Sequence, residues 1–232
     1  MRHGRKTRSV RVDGYKRHVL CDLDHGLIRA VGVTPANVPE AAAAIQVQAD
    51  LDAQGVRLSE LYIDRAYLPS SLVRDRDPDL AVYCRAFPVR TIGGRFAKTA
   101  FTLDFDQGTL TCPNQQVMAF QPGGKVQFPA EVCQVCPLRT HCTISPRGRS
   151  VQIHPDERLL VELRQQQRTP HGRARLRQRV PVEHALAHVG RWQGNRARYR
   201  GQRKNRFDLR RAVVVHNLHV IARQPPPAQQ AA

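Results

Sequence analysis

Acidic side chains are scarce in this 232-residue chain, with 19 Asp and Glu against 37 Lys and Arg. The formal charge of +18 and a pI near 10.9 attract polyanions, nucleic acid first. Charge alone leaves open a basic RNA-binding protein of the ribosomal or chaperone kind. Long apolar runs are missing too. The longest, AAAAI at 41 to 45, falls well short of the ~20 residues that span a bilayer. The basic start MRHGRKTRSVRVDGYK has no apolar h-region, so it does not read as a secretory signal. A soluble, cytoplasmic protein without membrane contact is expected. In that reducing setting six cysteines are thiols or metal ligands rather than disulfides. The length suits one domain with a small inserted module.

The shortage of acids is sharpest between Arg164 and Arg211, where fifteen Lys or Arg stand against Glu183 and Asp208 and leave a net +13. A carboxylate kept inside VPVEHALAHVGRWQGNRARYRG therefore needs a reason. Asp64 is its counterpart, at the end of the short apolar strand expected over Leu61 to Ile63. Hard divalent cations such as magnesium take carboxylate oxygens, and two-metal sites hold the attacking and leaving oxygens of phosphoryl transfer. The plainer alternative is that Glu183 pairs with Arg179 one helical turn back.

The organisation reads as an open α/β sheet with an insertion. Two β-rich runs, Tyr15 to Cys21 and Leu27 to Val33, flank the turn residues Asp24, His25 and Gly26 and predict a hairpin. Asn37 with Glu40 predicts a capping box for a helix that ends at Gly55. Another strand is expected within 80 to 87. The order strand, strand, helix, strand, helix, strand places ligands at the carboxyl ends of parallel strands, where Asp64 stands. We expect a first part of the core at 1–90, a β-rich insertion at 91–150, a helical part of the core at 151–223 and a disordered tail at 224–232.

Within the insertion, Cys112, Cys133, Cys136 and Cys142 form C-x20-C-x2-C-x5-C, a set that can close a structural tetrahedral zinc site. Four reduced thiols are the alternative, and His141 could replace one ligand. Cys21 and Cys84 fall in expected strands and read as core residues. Arg191, Arg196, Arg198, Arg200, Arg203, Lys204 and Arg206 interleave with Trp192, Tyr199 and Phe207, a mix suited to phosphate contacts and base stacking; a solvated basic face is the alternative. His184, His188, His216 and His219 have helical spacing and read as helix-surface or core histidines.

Taken in order, GYKRHVLCDLDHGLIRAVGVTPANVPE, LYIDRAYLPSSLV, TCP with CQVCPLRTHC, GRSVQIHP and RVPVEHALAHVGRW through HNLHVIAR resemble the catalytic domain of bacterial insertion-sequence transposases of the DDE type. The resemblance implies a ribonuclease H-like mixed sheet flanked by helices, in which two Asp and one Glu bind two magnesium ions and DNA is cut at the element's ends. The freed 3′ hydroxyl then attacks target DNA. The second Asp falls on Asp64 and the Glu on Glu183, with Arg179 at the spacing of the family's arginine. Leu176 stands where relatives carry Tyr, and Gly190 and Arg191 where they carry Lys. No acid precedes Asp13, and Asp13, Asp22 and Asp24 read as turn chemistry. The first catalytic strand is therefore expected to be missing, and the chain to be a fragment that is inactive alone. The alternative is a catalytically dead, zinc-stabilised DNA-binding remnant. Two copies, or this chain with an intact transposase, are the protein partners implied.

Overall fold

The structure, a computed structural model, describes residues 3–5, 11–91, 93–194 and 196–224, and these form a mixed α/β chain of small sheets and helices. They divide into two compact bodies, one built from residues 1–84 and 170–232, the other from 85–169. Among the described residues, no helix is long and apolar enough to cross a membrane.

In the first body, β1 (His3–Arg5) pairs antiparallel with β2 (Arg11–Asp13). The predicted hairpin is β3 (Tyr15–Cys21) with β4 (Ile28–Pro35), antiparallel from Tyr15 opposite Pro35 to Leu20 opposite Ala30. Its turn is closed by Asp22, whose carboxylate accepts from the amides of Asp24 and His25 and from Arg29. That is the turn role expected for Asp22.

A 3-10 turn, Glu40–Ala43, leads into α1 (Ala44–Asp52), which stops before Gly55 at φ 64°. The expected Asn37 capping box does not form. Pro39 occupies the cap position without a side-chain bond, and the Glu40 carboxylate is drawn to Lys16 at 2.8 Å. Next come β5 (Glu60–Tyr62), α2 (Ser71–Arg74) and β6 (Ala81–Tyr83), with β5 and β6 paired in parallel.

The second body has a three-stranded antiparallel sheet of β7 (Thr102–Asp104), β8 (Thr109–Thr111) and β9 (Val117–Ala119). Beyond it lie β10 (Lys125–Gln127), α3 (Ala130–Gln134), α4 (Arg139–Cys142), β11 (Ser150–Gln152) and α5 (Glu157–Gln166). This body extends past the expected end at 150. β11 pairs with β10, and Val151 and Ile153 join Phe101, Leu110, Val126 and Phe128 in one core. The buried Glu157 of α5 binds Lys98, and also Arg164 at 3.2 Å.

The chain then returns to the first body through α6 (Pro170–Arg177), α7 (Val180–Gln193) and α8 (Gln202–Arg223). Pro170 and Pro181 do not break these helices. Each lies in a first turn, where a missing N–H costs nothing. Ala185 and Val189 of α7 and Leu209, Ala212 and Val213 of α8 bury against Ile28, Val31 and Val33 of β4. Ala30, on the other face of β4, packs on Val47 and Leu51 of α1. The expected tail, apart from Gln224, lies outside the described residues.

Candidate active site and nucleic-acid interface

Asp64 follows β5 and caps the 3-10 turn Arg65–Tyr67, where one carboxylate oxygen accepts from the Ala66 amide at 3.2 Å. Its other oxygen accepts from Arg179 Nη1 at 3.1 Å. Arg179 is the residue before α7, and its Nη2 donates to Glu183 Oε1 at 3.3 Å in the first turn of that helix. One guanidinium thus bridges two carboxylates from distant parts of the chain. The plainer expectation for Glu183, a pair with Arg179, is met, and the same guanidinium also carries Asp64. Burial would raise the Asp64 pKa, but the Ala66 amide and Arg179 outweigh it and hold the carboxyl below the ordinary value. Asp64 and Glu183 remain largely exposed, with 59% and 71% of their side chains accessible. Both line a cavity of about 520 Å³.

Two devices fix these groups. Buried His18 of β3 bonds the Tyr67 hydroxyl through Nδ1 and Thr34 through Nε2, so the turn after Asp64 is tied to the hairpin. Burial is the main reason the imidazole pKa falls to about 4. On the other side, the Arg175 guanidinium of α6 bonds the Glu60 carboxylate and the Tyr83 hydroxyl and lies 4.6 Å from the Tyr83 ring centroid. Tyr83 stacks on Tyr62 at 4.7 Å, so α6 is pinned to β5 and β6 just ahead of α7. Sequence reading missed His18, Tyr67, Glu60, Tyr62, Tyr83 and Arg175. An Arg eight residues before Glu183 and tyrosines in both parallel strands were the available signals.

In the second body Cys112, Cys133, Cys136 and Cys142 line one small cavity of about 30 Å³ together with Phe96, Phe128 and Leu138. The Cys142 thiol is pushed up by burial and by the three other cysteines, against the pull of Arg149. The set has the chemistry of a structural zinc site. Among the described residues, however, no three His, Cys, Asp or Glu stand as a ready-made metal site. Cys84 is buried and Cys21 half-buried, with their thiols raised to about 11 and about 12 mainly by burial, in keeping with inert core positions.

Arg191 and Trp192 end α7; Arg196, Arg198, Tyr199 and Arg200 lie in the following loop, and Arg203 and Lys204 open α8, all exposed. Arg206 differs. Its guanidinium bonds the Asp50 carboxylate and the Gln46 carbonyl, which makes it a strut between α8 and α1. Trp192 is 48% exposed, yet its ring stands edge-on to His188 and His219. His188 meets buried His216 at 2.8 Å, while His184 is exposed.

Two sequence-family models, each described as a transposase DDE domain, match residues 1–83 and 111–222. No curated protein and no solved structure matches the chain.

Proposed function

The chain belongs to the transposases with a DDE domain, and from that premise we propose that it serves metal-dependent cleavage and transfer of DNA strands at insertion-sequence ends. The observation that supports this reading is the Arg179 guanidinium shared by Asp64 and Glu183 at the mouth of one cavity. A ribonuclease H-like core is the fold the reading implies.

Asp64 and Glu183 are hard oxygen donors with accessible carboxylates, and they are the residues that would hold magnesium. When bound, the cation would supply charge stabilisation to the attacking and leaving oxygens of phosphoryl transfer. Asp64, held below the ordinary carboxyl range, is ionised at neutral pH. Glu183 sits in the first turn of α7, where the helix dipole favours negative charge. Arg179 holds the two carboxylates at one place and offers its planar fork to a phosphate. The exposed arginines from Arg191 to Arg203, with Lys204, would track the DNA backbone. The four cysteine thiolates would close a zinc staple for the thin core of the second body. Association with a second copy or an intact transposase belongs to the same reading.

The test is a magnesium-dependent nicking assay on plasmid that carries the DNA flanking this gene. With the first Asp supplied by an upstream segment or a second chain, the wild-type chain should nick, while Asp64→Asn and Glu183→Gln should lose nicking and retain DNA binding. A wild-type chain that binds but never nicks would favour the second reading, a zinc-stabilised DNA-binding remnant.

A further inference from the structure

Helix α8 is apolar on two opposite faces. Leu209, Ala212 and Val213 are buried in the cluster shared with β4 and α7. Phe207, Val214, Leu218 and Ile221 stand on the other side, and each keeps more than half of its surface accessible, from 52% to 64%. Their successive spacings of 7, 4 and 3 residues hold all four within an arc of about 60° at 3.6 residues per turn. They form one stripe. A helix that is apolar all round is normally covered all round, but among the described residues this second face is open. Four side chains so exposed present on the order of 400 Å² together, a size at which an apolar patch marks an interaction site.

Charge divides the same helix along its length. The first half carries Arg203, Lys204, Arg206, Arg210 and Arg211 against Asp208 alone, whereas residues 212–222, AVVVHNLHVIA, contain no Lys, Arg, Asp or Glu. An acidic protein or a phosphate backbone would be drawn to the first half. Three of the four stripe residues lie in the second half, which therefore calls for an uncharged, apolar helical face. The same segment of another copy is such a face.

Two α8 helices could lie parallel or antiparallel. Parallel packing sets the two arginine halves side by side and aligns the helix dipoles, and both effects are repulsive. Antiparallel packing about a two-fold axis near His216 sends the arginine halves to opposite ends. It also brings each Arg211 to the last turn of the facing helix, where a cation is favoured.

We propose that this chain self-associates through α8, as an antiparallel two-fold pair in which Val214 of one copy packs on Leu218 of the other. The pair buries on the order of 800 Å² in total, which places it in the transient class below ~1,200 Å² and sets its association in the micromolar range. The proposal gives a surface to the second copy named in the functional reading, and rests on that reading only for the need of one.

The test is sedimentation equilibrium of the full chain, freed of nucleic acid, at loadings from about 1 to 300 µM, which bracket a micromolar Kd. The weight-average mass should climb from 26.2 kDa toward twice that value. Leu218→Asp puts an unpaired carboxylate at the seam and Val214→Arg an unpaired cation, so each should weaken association at least tenfold. Both positions are exposed, and the thermal midpoint should stay nearly unchanged. Mixed in equal amounts, the two variants should associate again, because the antiparallel register sets Asp against Arg. A mass that stays at one copy throughout, variants that associate as well as the wild type, or a mixture that remains monomeric would overturn the proposal. So would association that collapses in about 1 M salt, the behaviour of copies bridged by nucleic acid; an apolar seam between basic chains holds as salt screens their repulsion. Neither magnesium nor element DNA enters the measurement, so its failure is separable from failure of the nicking assay.

Discussion

Glu157 and Glu183 are both glutamates in basic surroundings, and they are handled in opposite ways. Glu157 keeps 2% of its side-chain surface and binds Lys98, Arg164 and the His154 amide. Its oxygens are committed, so it contributes to the second body alone. Glu183 keeps 71% of its surface and one shared guanidinium. Pairing with a cation does not by itself distinguish a structural carboxylate from an available one; burial and the number of competing donors do.

Substitutions can break this comparison. The largest effect is expected at the exposed pair: Glu183→Gln or Asp64→Asn should reduce magnesium-dependent nicking about a thousandfold, ~4 kcal/mol of transition-state stabilisation, with the thermal midpoint nearly unchanged. Glu157→Gln should reverse that pattern. It leaves Lys98 and Arg164 without their buried anion and should cost about 3 kcal/mol in the second body, read by denaturant unfolding, with the Asp64 region unaffected.

His18 adds a pH window between these extremes. Its folded pKa, about 4, lies below the ordinary 6.5, so the unfolded chain takes up the proton first. The contribution is unchanged above pH 6.5, and stability falls as pH drops from 6.5 toward 4, by at most ~3 kcal/mol. Unfolding curves of His18→Gln against pH should be flatter across that window.

The basic residues divide in the same way as the two glutamates. Arg196→Ala, Arg198→Ala and Arg200→Ala together should lower the salt slope of DNA binding by up to about three. Arg206→Ala should leave that slope alone and cost ~1–2 kcal/mol of stability through its lost bonds to Asp50 and Gln46.

Local chemistry made part of this legible in the sequence. The hairpin was marked by two β-rich runs around a turn, and the end of α1 by Gly55, whose φ of 64° other residues rarely adopt. The four cysteines were marked by spacing and do surround one cavity. Asp64 and Glu183 were singled out by their neighbourhood, and the fold brings them to one guanidinium. What escaped depends on contacts between distant residues. The β10–β11 pairing carries the second body to Thr169, and no local pattern foretells that Val126 will face Val151. The Arg175 bracket needs Glu60 and Tyr83 brought together by parallel strands. Arg206 resembles its basic neighbours until Asp50 is placed beside it.

The amide and carboxylate side chains along the outer margin of β4 carry one more consequence. Gln46 and Asn217 imitate a neighbouring strand without being one, so that margin is mute toward other chains. A very basic chain that carries a β-hairpin thereby hides along that margin the backbone groups on which copies could otherwise stack into a fibre.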